Sequence, residues 1–467
     1  MIDIAKPREL DPNLGKWPLS RQRMANFADK ERALSARLRA STGQVRLRKD
    51  ISHIFRERAW PATARLDVRS FNEVLDVDSS AGTVDVEGMT PYLTLADATF
   101  VHGLLPAVVP QLKFITIGGA CSGLGIEASS FRYGLAHETV TELEVLLADG
   151  DIVVCTPDNA YSDLFFGFAN SFGTLGYALR VKAKTIKAKN FVEVAHIRHG
   201  DPLAFFADLA RWCGRADVDF VDGVVFAPGE HYLNVGRFVD AAPYTSDYTY
   251  MNIYYRSIRE RRQDYLTTPD YIWRWDTDWF WCSRMLYAQN PTVRRLLSRK
   301  RLNSQFYKSA IDWGPGVKLR HAWRRLVGAH HESIVQDVDV RIGNAPAFLE
   351  FFQRDIGLAP VWICPFKAYD PRHSFPLFAT DPAALYVNFG FWDSKFTRNA
   401  FPPGHFNRLI ERKLAELGGI KSLYSDAYYS ADEFWALCNK GAYDRLKAKY
   451  DPKGRLSDLY RKCVLRQ

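Results

Sequence analysis

Residues 116–134, TIGGACSGLGIEASSFRYG, place five glycines in nineteen positions within the first third of the chain. Glycine lets the main chain take positive φ and lets a ligand approach its N–H groups, so such a run constrains the local fold to a tight turn or a phosphate cradle. Two common cradles do not match. A P-loop needs a Lys followed by Ser or Thr after its last glycine, and no Lys follows Gly123 or Gly125. A dinucleotide fingerprint of the G-x-G-x-x-G kind needs a third glycine, yet Gly123-Leu124-Gly125 runs on into Ile-Glu-Ala-Ser-Ser.

The rest of the chain supplies the context. Its 467 residues suffice for two domains, and 62 Lys and Arg against 53 Asp and Glu give a net charge of +9, which suits a polyanionic cofactor, an anionic membrane or nucleic acid. Residues 1–42 read as a polar helical segment. From residue 43 to 189 short Val- and Leu-rich runs alternate with turns, including a hairpin signal at Asp149-Gly150 and a second glycine turn at Gly173 to Gly176. Residues 190–425 mix long strands with helices and carry most of the 12 Trp, and 426–467 form a basic C-terminal segment. The start, MIDIAKPRELDPNLGKW, is charged, and no run of about 18 uncharged apolar residues follows, so neither a secretory signal nor a spanning helix is expected. The seven cysteines have no zinc-like spacing, so free thiols, a reducing compartment and no metal are expected.

The glycine run, then ELEVLLADGDIVVCTP, SDLFF…NSFGTLGY and a terminal YDPKGRL, resemble in that order the vanillyl-alcohol-oxidase (PCMH-type) family of FAD-binding proteins. HESIVQDVDVRIGNAPAFLEFFQRDIGLAPVWICPF and LYSDAYYSADEFW are similar to segments of its Δ24-sterol reductase branch and of related bacterial lipid-modifying flavoproteins. The resemblance implies an α+β fold: an FAD-binding domain of two α/β subdomains over 43–189, a mixed-sheet substrate domain over 190–425, and a C-terminal segment that returns to the first domain. It implies FAD with its pyrophosphate on the amides of Gly118, Gly119, Ala120, Cys121 and Ser122. Thr116, Gly123 and Glu127 are expected close by, with Gly173, Thr174 and Gly176 closing over the cofactor. Ser52 and His53 lie in the remaining loop, and non-covalent attachment is expected there rather than a bond to His53.

A flavin carries the hydride, and the protein supplies orientation and any proton. Reduction of an isolated alkene requires a positioned acid, and an aromatic face would stabilise developing positive charge. Asp337 and Glu127 are the candidate acids and Trp362 the candidate aromatic face; Tyr271, Trp275, Gln336, Cys364 and Asn388 are candidate substrate contacts. The implied activity is reduction of a C=C bond in a lipid with electrons from NADPH. A flavin-dependent desaturase and a sugar-lactone or alcohol oxidase on the same fold remain as alternatives. A non-catalytic flavin or nucleic-acid binder is disfavoured, because no nucleic-acid-binding signature accompanies the charge. Residues 254–284 concentrate aromatics and arginines, which suits peripheral contact with a membrane. The chain is accordingly expected to be cytoplasmic, or peripheral on the inner face of a membrane.

Overall fold

Residues 20–50, 55–56, 64–311 and 330–467 are described by the structure, a computed structural model. In chain order its strands are β1 (Val45–Arg48), β2 (Ala64–Asp67), β3 (Val74–Asp78), β4 (Thr83–Glu87), β5 (Leu104–Pro106), β6 (Val140–Leu146), β7 (Ile152–Cys155), β8 (Tyr177–Lys187), β9 (Phe191–His199), β10 (Phe220–Ala227), β11 (Glu230–Val239), β12 (Gln263–Thr267), β13 (His330–Arg341), β14 (Val361–Phe366), β15 (Tyr386–Thr397) and β16 (Ile420–Lys421).

The first half builds a small parallel pair, β1 with β2, and an antiparallel sheet in the order β3-β4-β8-β6-β7, with β5 added to β8. Asp149-Gly150 turns β6 into β7, with Leu146 opposite Ile152 and Gly150 at φ +96°, a conformation suited to glycine. The helix Ser20–Ala40 packs Phe27, Leu34 and Leu38 against Leu66, Phe71 and Leu179. The chain leaves this sheet at Lys187 and enters the next at Phe191.

The second sheet is antiparallel, in the order β12-β9-β11-β10-β14-β15-β13-β16. Side chains alternate across a strand, so each strand divides its residues between two faces. Ile334, Val338, Val340, Ile363, Val387 and Phe389 pack on one face with Phe205, Phe348 and Ile410 of the helices Pro202–Cys213, Ala345–Phe351 and His405–Glu416. Trp362, Cys364 and Trp392 face the other way, into the core shared with the first domain. The C-terminal helices Lys440–Tyr450 and Leu459–Cys463 return to the first domain, where Lys447 donates to the Thr174 carbonyl (2.8 Å) and Lys462 to the Phe172 carbonyl (2.6 Å). Among the described residues, no helix is long and apolar enough to cross a membrane.

Candidate active site

Between the two sheets lies a cavity of about 440 Å³, within the usual range for small-molecule and cofactor sites. One end is lined by Trp279, Phe280, Trp362 and Trp392, and the other by the glycine run together with Gly173, Gly176 and basic residues. At the aromatic end Phe280 is stacked between Trp392 (4.1 Å) and Trp275 (4.8 Å). Each such pair adds about 0.5–1.5 kcal/mol beyond burial. Trp279 and Phe280 both hold positive φ, at 45° and 59°, and Leu124 and Phe172 on the cavity wall do the same. Non-glycine residues in this region cost about 1–3 kcal/mol each and persist only where the surroundings over-determine them. Here two buried anchors do so. Asp278 takes a two-pronged bond from Arg294 (2.7 and 2.9 Å), and Asp276 accepts from Ser304 (2.6 Å) and from the Lys113 amide (3.1 Å).

The glycine end differs from the expected amide cradle. Thr116 caps a short helix, Ile117–Gly123, and the amides of Gly118, Gly119 and Ala120 already donate inside the protein, to the Gly88 carbonyl, Thr116 Oγ1 and the Thr116 carbonyl. The cavity is therefore bordered by the bare surfaces of Gly118, Gly119, Gly123 and Gly125 and by Ser122 rather than by a full set of open N–H groups. Cys121 is buried beside Tyr92, and Thr174 is buried with its hydroxyl on the Ser171 carbonyl, so neither lines the cavity. Ser52 and His53 lie outside the described residues. Positive charge comes from residues the motif reading missed: Arg46, Lys49, Arg56, Arg65, Lys462 and Arg466. These arrive from two distant stretches of chain, 46–65 and 462–466, and no local spacing links the two.

Asp337 joins the aromatic residues in the cavity lining from β13, the strand next to the β16 edge of the second sheet. On β13 its neighbour Gln336 points to the helix-covered face, where it bonds Asn407, so Gln336 is not a cavity residue. Asp337 pairs in register with Gly390 of β15. A Cβ at 390 would lie 2.5 Å from the Trp392 ring and 2.7 Å from Asp337 Oδ1, so glycine there makes room for both groups. Oδ1 is enclosed and has no hydrogen-bond partner. Burial pushes the Asp337 carboxyl up to about 7 against the opposing pull of the Tyr424 hydroxyl. Asp339, two residues on, is raised by burial to about 8 and accepts from Asn388 Nδ2 (2.7 Å). Asn388 thus shares the face of Asp337 but is spent on Asp339 and does not border the cavity.

Glu127 does not reach the cavity. It is buried against Arg274 (3.2 Å), which also pairs with Asp222 (2.8 Å), and burial lifts its carboxyl to about 7 although Arg274 opposes the shift. Asp222 extends the network, accepting from Asn234 Nδ2 (2.7 Å) and from Trp362 Nε1 (3.3 Å). Arg274 therefore ties Glu127, within the glycine run, through Asp222 to the Trp362 indole of the cavity lining. Tyr271 lies on the Arg274 guanidinium (4.0 Å), Trp275 supports Phe280 from behind, and Cys364 is enclosed beside Glu127 and Asp222. None of the three borders the cavity. The tryptophans at 273, 275, 279 and 281 are all buried, so the aromatic part of residues 254–284 is core and does not form a surface belt.

Two residues of the cavity lining each carry a buried polar atom without a protein partner, Asp337 at Oδ1 and Gln111 at Nε2. With a basic glycine-rich end and a flat aromatic end, these residues fit an elongated anionic ligand with a planar terminus. Residues 59–156 match the FAD binding domain family. This chain carries an FAD-binding domain. It is 27% identical to the Delta(24)-sterol reductase of Homo sapiens over 413 residues, 84% of this chain and 76% of the relative. It is 24% identical to that of Pisum sativum over 442 residues, 85% and 76%. Cytokinin dehydrogenase 10 of Oryza sativa subsp. japonica is 29% identical over 155 residues, 32% of this chain and 28% of that one. The chain is an FAD-dependent oxidoreductase. In this flavoprotein the bare glycine surfaces, Ser122 and the basic residues would hold the cofactor, and Asp337 with its four aromatic neighbours would meet the substrate.

Proposed function

We propose that this flavoprotein reduces a carbon–carbon double bond in a lipid, either a sterol or a fatty-acyl or methylene-acyl chain, with electrons from NADPH and with FAD held non-covalently. The observation that carries the proposal is Asp337, a carboxyl residue in the lining of the cavity together with Trp279, Phe280, Trp362 and Trp392. When bound, the flavin supplies the hydride. An isolated alkene has no carbonyl to polarise, so a proton must be delivered to one of its carbons. A carboxyl lifted to about 7 keeps a large protonated fraction at neutral pH and can make that delivery. Trp279, Phe280, Trp362 and Trp392 exclude water, accept an apolar chain and present ring faces toward positive charge developing on the substrate. Similarity to proteins named Delta(24)-sterol reductase supports the lipid alkene as substrate class.

Anaerobic stopped-flow mixing tests the proposal. NADPH should bleach the flavin absorbance, and a sterol with a side-chain double bond or a methylene-bearing fatty acid should restore it. Asp337→Asn should slow the second phase about 10²-fold or more and leave the first intact. Bleaching by a saturated lipid, with none by NADPH, would show that the enzyme runs as a desaturase. Acid precipitation should leave the flavin in the supernatant; colour retained in the pellet would show covalent attachment.

A further inference from the structure

The two most exposed large apolar side chains among the described residues are Tyr287 (78%) and Leu296 (77%), nine positions apart on one short stretch of chain. Residues 284–301 hold six Lys and Arg and no Asp or Glu. Three of these cations are matched from elsewhere: Arg284 pairs with Asp393, Arg294 with Asp278 and Arg299 with Asp247. Arg295, Lys300 and Arg301 are exposed and have no ion pair among the described residues. Before a bend at Ser298, the helix Pro291–Arg301 turns Val293, Arg294 and Leu297 toward the protein and Thr292, Arg295 and Leu296 toward solvent. Arg294 fixes this face relative to the cavity. It holds Asp278 (2.7 and 2.9 Å), the residue before Trp279 of the cavity lining, and donates to the Ala288 carbonyl (3.2 Å), which keeps the turn carrying Tyr287 beside the helix.

We propose that residues 284–301 form a docking face for an anionic lipid bilayer, in which Tyr287 and Leu296 enter the headgroup boundary while Arg295, Lys300 and Arg301 meet lipid phosphates. Cations alone would suit any polyanion. A nucleic-acid backbone has no apolar layer to cover Leu296 and Met285, which is also exposed (41%), whereas a bilayer takes up both kinds of group. The face is separate from the tryptophans of residues 254–284, which are core. A bilayer docked there is linked to the aromatic lining of the cavity by the Arg294–Asp278 clamp. The docking itself goes beyond the reaction proposed above; its use, passing a lipid from the bilayer to the aromatic residues, rests on that reading.

Sedimentation of the flavin-loaded protein with phosphatidylcholine vesicles, with and without phosphatidylserine, tests the face. Binding should require phosphatidylserine and weaken as NaCl rises, because screening shortens the electrostatic reach to about 8 Å at physiological ionic strength. One basic side chain near such a surface strengthens binding about fivefold, so Arg295→Gln, Lys300→Gln and Arg301→Gln together should weaken it about a hundredfold. Removing the same charge at the exposed Arg21, Arg37 and Lys453 should cost less than about fivefold. Equal losses from the two triple variants would show that net charge and not this face binds, and would overturn the proposal. Leu296→Ser with Tyr287→Ser should weaken vesicle binding at least about tenfold. If that pair binds vesicles like wild type, while the Arg295, Lys300 and Arg301 variant loses both vesicles and a DNA duplex, the face is a polyanion site and the membrane assignment fails. Binding as tight to neutral vesicles as to anionic ones, or to neither, overturns it too. Flavin content checks that each variant is folded. Sedimentation needs no turnover, so failure of the lipid-reductase reading leaves these outcomes unaffected.

Discussion

Replacing Arg274 by Met tests whether the buried charges hold the cavity walls together. The Arg274 side chain is fully enclosed, and its partners Glu127 and Asp222 are only 3% and 1% exposed. Arg274→Met fills similar volume but leaves both carboxyls without their cation. Removing one member of such a buried set costs about 3–5 kcal/mol, a fall in urea midpoint on the order of 1–2 M. The loss should also depend on pH. Burial lifts Glu127 to about 7 even with Arg274 opposing, so the variant's carboxyl must titrate higher still. A carboxyl raised in the folded state contributes stability that is full below its unfolded value, near 4, and is lost as pH rises through the folded value. Wild type completes that loss near pH 7, whereas the variant goes on losing about 1.4 kcal/mol per unit above it. Urea unfolding followed by tryptophan fluorescence at about pH 6 and about pH 9 should therefore show a larger deficit at the higher pH. The triple variant Arg274→Met, Glu127→Gln, Asp222→Asn should recover most of the stability and lose the pH dependence. Wild-type stability in the single variant, or a deficit equal at the two pH values, would refute the argument.

Two glycine substitutions separate cofactor retention from chemistry. A Cβ at Gly118 would lie 2.6 Å from the Gly88 carbonyl oxygen, a backbone atom that cannot step aside, so Gly118→Ala should lower the flavin-to-protein ratio on purification. Gly119→Ala, whose Cβ meets only the Thr116 hydroxyl at 2.8 Å, should retain more flavin than Gly118→Ala. Gly390→Ala should keep its flavin but slow lipid-dependent reoxidation at least about tenfold, because the new methyl meets both Trp392 and Asp337 Oδ1.

Several features were legible because their cause is local. A positive φ at Gly150 makes Asp149-Gly150 a hairpin whatever surrounds it, and period-two alternation sends Asp337 and Gln336 to opposite faces of β13. That alternation alone could not say which face held the cavity, and so both Asp337, as a candidate acid, and Gln336, as a candidate substrate contact, were drawn from one strand. The aromatic density of residues 254–284 was likewise visible, but composition does not distinguish a core from a surface. Trp279 and Phe280 turn inward because Asp276 and Asp278 are anchored by Lys113, Ser304 and Arg294.

By itself the sequence determined the glycine run, the strand and turn pattern, the change of sheet near residue 190, and the candidacy of Asp337 and Trp362. Only the tertiary structure decided how these are used. Glu127 became a buried ion-pair partner because Arg274 reaches it from 147 residues away, and the amides of Gly118 and Ala120 were taken up because Gly88 and Thr116 sit against them. Lys462 and Tyr424 joined the cavity from the C-terminal third of the chain. Desolvation and pairing depend on what surrounds a group in space, and those neighbours come from stretches whose sequence separation carries no signal of their meeting.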